Sequence, residues 1–393
     1  MASTTQVVPE IRRGRLFAAA CAGLAMFGIV IVLLGTLFGF PQMAERLHVD
    51  IVRLGALASL MLTGVWGTTV MLGPIIDRFG NKVVLVGSSF IVAASLVAFA
   101  TAESFALAAV VCVVLGVGGA GLNMSTNALV SDLYDETRGS MLNYLGMFFS
   151  VGALGLPLTM AQLSSVFTIP QMIVGAAVLA ALCGIVFLVL PFPQAKEAHG
   201  FSIAESLKVV RYPGVILFAV LLFFQTANEQ AMSTFTPKWL SAAGAAPQIA
   251  VYILAVYQAG MFLGRITAGA VLRKLPKLTV VAVTAMIATV GCALLWLGGT
   301  PGLKTVGVGL IGLSFAPIYP TVLAEAGDRY RRFAGSVFGL LFSVALVGGI
   351  VAPSLIGYLS SRFGMLSGPI VPTVGSVIIA LLALAAMRQP KAS

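Results

Sequence analysis

The sequence predicts an all-α polytopic membrane protein, with twelve transmembrane helices in two pseudo-symmetric six-helix bundles. Three observations predict it. Apolar runs of about 20 residues, the length a helix needs to cross the hydrocarbon of a bilayer, recur along the whole chain. Only 9% of the 393 residues are charged and 59% are hydrophobic, which leaves too little charge to cover a water-soluble protein of this length. Short polar segments of the first half also recur at matching places in the second.

The runs fall at residues 15–39, 51–76, 83–101, 105–131, 139–161, 168–191, 213–236, 248–272, 278–298, 303–326, 333–358 and 368–387. The first is too long for the apolar core of a signal peptide and lacks a convincing cleavage site, so it is read as a span. With the N-terminus inside, only Arg46, Arg53, Lys238, Lys304 and Arg362 fall outside and Arg265 falls within a span, so 17 of the 23 Lys and Arg residues lie on the inside. That bias sets orientation, and both termini are expected in the cytoplasm of a bacterial inner membrane. The formal net charge of +10 is carried by scattered residues and calls for no nucleic acid. Cys21, Cys112, Cys183 and Cys292 all sit inside apolar runs without metal-ligand spacing. They read as small buried hydrophobes, and no metal or cofactor is expected.

The connection from Phe192 to Tyr212 divides the spans six and six, giving bundles at 1–191 and 213–393 joined by a cytoplasmic linker at 192–212. Within it, 201–210 suits either an amphipathic surface helix or a plain linker. After the second span stands Gly73-Pro-Ile-Ile-Asp77-Arg78-Phe79-Gly80-Asn81-Lys82, matched after the eighth by a segment with Arg273, Lys274, Pro276 and Lys277. Arg138-Gly139-Ser140 and Phe149-Ser150-Val151 are likewise echoed by Arg332-Phe333-Ala334-Gly335-Ser336 and Phe342-Ser343-Val344. A duplicated bundle with a site between its halves is a transporter architecture.

The pattern Gly-x-x-x-Asp-Arg-x-Gly-x-Lys at 73–82 resembles the signature loop of the major facilitator superfamily. Span number, topology and half-repeat extend that resemblance over the whole chain. A narrower likeness, to the fucose permease group of sugar–proton symporters, rests on Arg138 to Asn143, Phe148 to Leu154 with Pro157, Asn123 to Asn127, Asn228-Glu229, and Pro317 with Pro320. The resemblance implies transport of a small polar, sugar-like solute by alternating access, by a monomer in the bilayer, with no enzymatic activity. A drug or organic-acid exporter on the same fold is the alternative. That group also carries acids in the first and fourth spans, whereas here the first span has none and the fourth has Asn123 and Asn127. Proton coupling through Glu229 alone, coupling to another ion and uncoupled facilitation therefore stay open.

Glu229 is the one acid placed well inside the hydrocarbon, slightly to the outer side of the midplane of the seventh span. An intramembrane carboxylate is a functional candidate by default, and a carboxyl group taken out of water can exchange a proton reversibly near neutrality. Gln225, Asn228, Glu229 and Met232 follow i, i+3, i+4, i+7 spacing and are expected on one helical face. Asn123, Thr126 and Asn127 form a second polar face opposite. Tyr257 and Gln258 on the eighth span and Ser314 and Tyr319 on the tenth are expected to add polar tips, with Trp66 as a further aromatic. Arg265 either snorkels or pairs with Glu325, the pair being preferred. Gly73, Asp77, Arg78, Gly80, Lys82 and Arg138, with Arg265 and Glu325, are expected to form gates at the cytoplasmic mouth. Pro317 and Pro320 lack backbone donors and should bend the tenth helix.

Overall fold

A computed structural model describes residues 10–134, 137–193, 212–272, 274–330 and 334–389. The expected linker segment at 201–210 and the basic residue Arg273 lie outside the described residues. The side chains of Gly73, Asp77 and Arg138 also lie outside that description.

The chain is all helical across its spans: α1 (Glu10–Leu37), the short α2 (Pro41–Arg46), α3 (Ile51–Thr101), α4 (Phe105–Leu133), α5 (Arg138–Leu163) and α6 (Ile169–Val189). The second half contains α7 (Pro213–Ala242), α8 (Pro247–Val271), α9 (Lys277–Leu297), α10 (Pro301–Phe315), α11 (Ile318–Arg329), α12 (Ala334–Phe363) and α13 (Ile370–Met387). Among the described residues they make twelve stretches long and apolar enough to cross a membrane. Helices are what hydrocarbon demands, because every backbone donor and acceptor must be satisfied within the segment.

Two helices depart from one helix per span, each for a legible reason. The stretch Ile51–Thr101 is two helices joined at a kink, where Gly80 has φ 78° and ψ 162°. The chain reverses there, so α3 supplies both the second and the third span. A residue without Cβ adopts that conformation at little penalty. The tenth span is split into α10 and α11 at Ala316–Pro317, as the prolines at 317 and 320 lead one to expect. The helix starts use ordinary devices. The side chains of Asp50, Ser104, Thr168 and Thr300 accept a backbone N–H in the first turn of α3, α4, α6 and α10.

Packing repeats between the halves. Helix α1 packs on α4, α5 and α6, and α3 on α4 and α6; α7 packs on α12 and α13, and α8 on α10. Glycine makes the closest of these crossings possible. A Cβ on Gly152 of α5 would stand 1.9 Å from the Ala25 carbonyl oxygen of α1, and one on Gly348 of α12 would stand 2.0 Å from that of Phe223 on α7. Likewise Gly116 of α4 abuts Met61 of α3, and Gly312 of α10 abuts Tyr257 of α8. Small residues let the helix backbones approach without a hydrophobic drive between them.

Among the described residues, the main seams joining the halves are α3 with α12, α5 with α8, and α1 with α7. They are tight toward the face opposite the chain termini, here the distal face. There, Ser59 donates to the Ile350 carbonyl at 2.5 Å and stands 2.8 Å from the Ser354 hydroxyl. Gln248 donates to the Ala161 carbonyl at 2.6 Å, and Gly35 faces the Ser233 carbonyl so closely that a Cβ would lie 1.8 Å away. Trp66, two turns from Ser59 on the same face of α3, is already exposed.

Candidate functional site

Glu229 lies just past the middle of α7, at the boundary between the two groups of helices. Its carboxylate accepts a 2.7 Å hydrogen bond from Nε2 of Gln225, one turn earlier. The same Gln225 nitrogen also donates to the carbonyl of Phe315 at 3.1 Å. Phe315 ends α10, and the prolines beside it interrupt the helical ladder. A buried carbonyl left at such a break needs a donor from a neighbour, and Gln225 supplies it. One amide thus ties the carboxylate to the bend of the tenth span.

A small cavity lies against Glu229. Its polar wall consists of Glu229, Gln230, Ser233, Tyr257 and Gln258, from α7 and α8. The facing wall is Ile31 and Val32 of α1 and Phe149 of α5, with Met261 of α8 closing one side. Gln258 Nε2 approaches the Ser233 hydroxyl at 3.5 Å. The Tyr257 hydroxyl is buried and makes no hydrogen bond of acceptable geometry, although Ser233 is close by. An unpaired buried hydroxyl costs about 1–3 kcal/mol, so this group is poised to bond whatever enters.

The structure brings together only part of the expected site. Gln225, Glu229, Tyr257 and Gln258 meet as expected. Asn228 does not join them: its Nδ2 faces the Ser376 hydroxyl of α13 at 3.4 Å, and a Cβ on Gly375 would collide with its oxygen. A helical face is about a third of the circumference, and the core side of α7 is shared between the cavity and α13. Asn123 and Asn127 do not line the cavity either. Asn127 Nδ2 donates back along α4 to the Asn123 carbonyl at 2.7 Å and to the Asn123 side-chain oxygen at 3.1 Å. Thr126 instead turns toward Gly23 of α1. Tyr319 stacks on Phe342, centroids 6.1 Å apart and planes 27° off parallel. Its ring is close enough to feel the Glu229 charge but lies outside the cavity lining.

The expected Arg265–Glu325 pair is not formed. Glu325 accepts from Arg329 Nε at 2.7 Å, a one-turn pair within α11. Arg265 of α8 reaches across the seam instead, donating to the Gly146 carbonyl of α5 at 3.1 Å and lying 5.3 Å from the centre of the Phe149 ring. It also interacts electrostatically with Glu229. The nearer partners win because α5 packs directly on α8 along this seam. In the loop after the second span, Arg78 packs over Phe79, while Lys82 donates to the Leu190 carbonyl at 3.0 Å and joins the third span to the sixth.

Sequence reasoning missed Gln230, Ser233, Met261 and the apolar wall. Ser233 stands four residues after Glu229, and Gln258, Met261 and Arg265 follow i, i+3, i+7, so both faces carried a usable signal. Ile31, Val32 and Phe149 carried none, since an apolar residue facing a cavity reads like one facing lipid.

The family model described as Major Facilitator Superfamily matches residues 15–353, and the chain belongs to that family. It is therefore an integral membrane secondary transporter for a small molecule, and not an enzyme. The uncharacterized MFS-type transporter YfkL of Bacillus subtilis is 24% identical over 303 residues, covering 75% of this chain and 76% of that protein. The MFS-type transporter pytF of Aspergillus terreus is 25% identical over 52% of this chain and 70% of its own length. Among solved structures, a mutant of the nucleoside transporter NupG superposes with a TM-score of 0.81 at 17% identity, covering 96% of this chain and 99% of that one. A bacterial homologue of the lysosomal transporter Spinster, inward-facing and unoccupied, gives 0.80 at 15% identity over 97% and 98%. The E. coli fucose:proton symporter FucP gives 0.64 at 17% identity over 95% and 98%. At these identities the superpositions establish the fold.

Proposed function

We propose that the chain carries a small, polar, hydroxyl-rich solute of sugar type by alternating access, with Glu229 at the seat and as the group through which a proton couples. The observation that carries this reading is the Glu229 carboxylate, held by Gln225 in a cavity between the two halves beside the Tyr257 hydroxyl and the Gln258 amide. Carboxylates and amides grip hydroxyls in pairs, and an acid placed here can answer both to cargo and to water on either side. Nucleosides and fucose, named for two structural neighbours, are both hydroxyl-bearing solutes.

In this reading the helices of 1–191 and 213–393 rock about the seat, linked through 192–212. The excess of Lys and Arg on the terminal face supports a cytoplasmic location for both termini. The tight distal seams then make this the inward-facing arrangement. Gly73, Asp77, Arg78, Gly80, Lys82, Arg138, Arg265 and Glu325 serve as gate residues on that side. Asn123, Asn127, Asn228 and Tyr319 belong to neighbouring surfaces that reach the cargo only if the helices shift between states.

The test is transport in proteoliposomes. Glu229→Gln is expected to abolish uphill accumulation driven by a proton gradient while sparing counterflow exchange. Normal accumulation by the variant would remove Glu229 as the coupling site. Failure of every labelled hexose, pentose and nucleoside to show saturable uptake would sink the hydroxyl-rich cargo in favour of an exported drug or organic acid.

A further inference from the structure

The cavity is two-faced, and its asymmetry constrains the cargo further than polarity does. On the α7–α8 side, Glu229, Ser233, Tyr257 and Gln258 present a carboxylate, two hydroxyls and an amide. The Tyr257 hydroxyl is buried beside Ser233 and makes no hydrogen bond of acceptable geometry. On the α1–α5 side, Ile31, Val32 and Phe149 offer no polar side-chain atom. A free sugar carries hydroxyls around its whole rim. Seated here, those directed at α1 and α5 would lose water and gain nothing in exchange.

Phe149 is also held in place. Its ring lies 5.6 Å from that of Phe27, with Arg265 on it at 5.3 Å. A ring pinned from two sides is a pre-organised surface for stacking rather than a loose filler.

We infer that the cargo is amphipathic: a hydroxylated ring joined to a flat apolar or aromatic group, with the hydroxyls on Tyr257 and its neighbours and the flat group against Phe149, Ile31 and Val32. This inference rests on the cavity being the substrate seat, as proposed above.

The test is equilibrium binding to the purified full chain, using D-ribose, uridine, D-glucose and phenyl β-D-glucopyranoside as probes. At least one aryl-bearing probe is expected to bind about tenfold or more tightly than its parent sugar, a difference of about 1.4 kcal/mol. Phe149→Leu should reduce that ratio to about threefold or less. Because Phe149 also holds Arg265, Val32→Ser provides a second variant that leaves this contact in place and should reduce the ratio in the same direction. Parent sugars binding as tightly as their aryl derivatives would overturn the inference while leaving the hydroxyl-rich reading intact. A ratio unchanged in both variants would overturn it as well. Binding of none of the four probes would overturn both readings.

Discussion

Gln225 shows how much one side chain decides in a membrane interior. Its nitrogen serves a carboxylate and a helix-break carbonyl at once. Replacing it by leucine, close in size and without a donor, strands both. Gln225→Leu is expected to cost about 1–2 kcal/mol, read as a lower midpoint of thermal unfolding in detergent. Because the amide bridges α7 and the α10–α11 bend, the variant should also slow transport more than it weakens binding. Unchanged stability and turnover would mean that neither bond matters. Gly80 is the second residue that acts alone. At φ 78°, Gly80→Ala is expected to lose about 1–2 kcal/mol from left-handed strain, measured in the same unfolding assay.

At the scale of helices, glycines with similar sequence surroundings play opposite parts. Gly152 and Gly155 both lie on α5, three residues apart. A Cβ on Gly152 meets the backbone of α1, whereas one on Gly155 meets nothing within 4 Å. Gly152→Ala is expected to destabilise by about 1–3 kcal/mol through overpacking against atoms that cannot yield. Gly155→Ala should be neutral or slightly stabilising, since alanine is the better helix former. Thermal unfolding of the two variants side by side checks the assignment; equal effects would refute it. The same logic separates Gly348, pressed on Phe223, from Gly146, which is open.

At the scale of the molecule, the seams between the halves are closed on the distal side, and transport requires them to open. Ser59 and Ser354 stand with hydroxyls 2.8 Å apart across the α3–α12 seam, a separation compatible with a disulfide between cysteines at these positions. The double variant Ser59→Cys with Ser354→Cys should cross-link under mild oxidation, lose more than about 90% of transport and recover on reduction. Of the four native cysteines, Cys21, Cys112 and Cys292 are buried and free, and the half-buried Cys183 is replaced by serine in the background used for cross-linking. Full transport by the cross-linked protein would show that this seam need not part.

The sequence by itself determined the twelve spans, the reversal after Asp77-Arg78, the break at Pro317 and a carboxylate at Glu229 inside the seventh span. Each of these follows from a local rule. Hydrocarbon tolerates only runs of apolar helix, a glycine permits a positive φ, a proline withholds a donor, and a lone carboxylate among apolar residues calls for a polar partner. What only the tertiary structure decided is where each side chain of a helix points among several neighbours. Periodicity put Asn228 beside Glu229, yet the packing of α13 claimed it. The sequence left Arg265 either to snorkel or to pair with Glu325, and the closeness of α5 gave it Gly146 and Phe149 instead. The apolar wall of the cavity was invisible in the chain because lipid, a neighbouring helix and a bound solute all favour the same residues, and only their arrangement in space tells them apart.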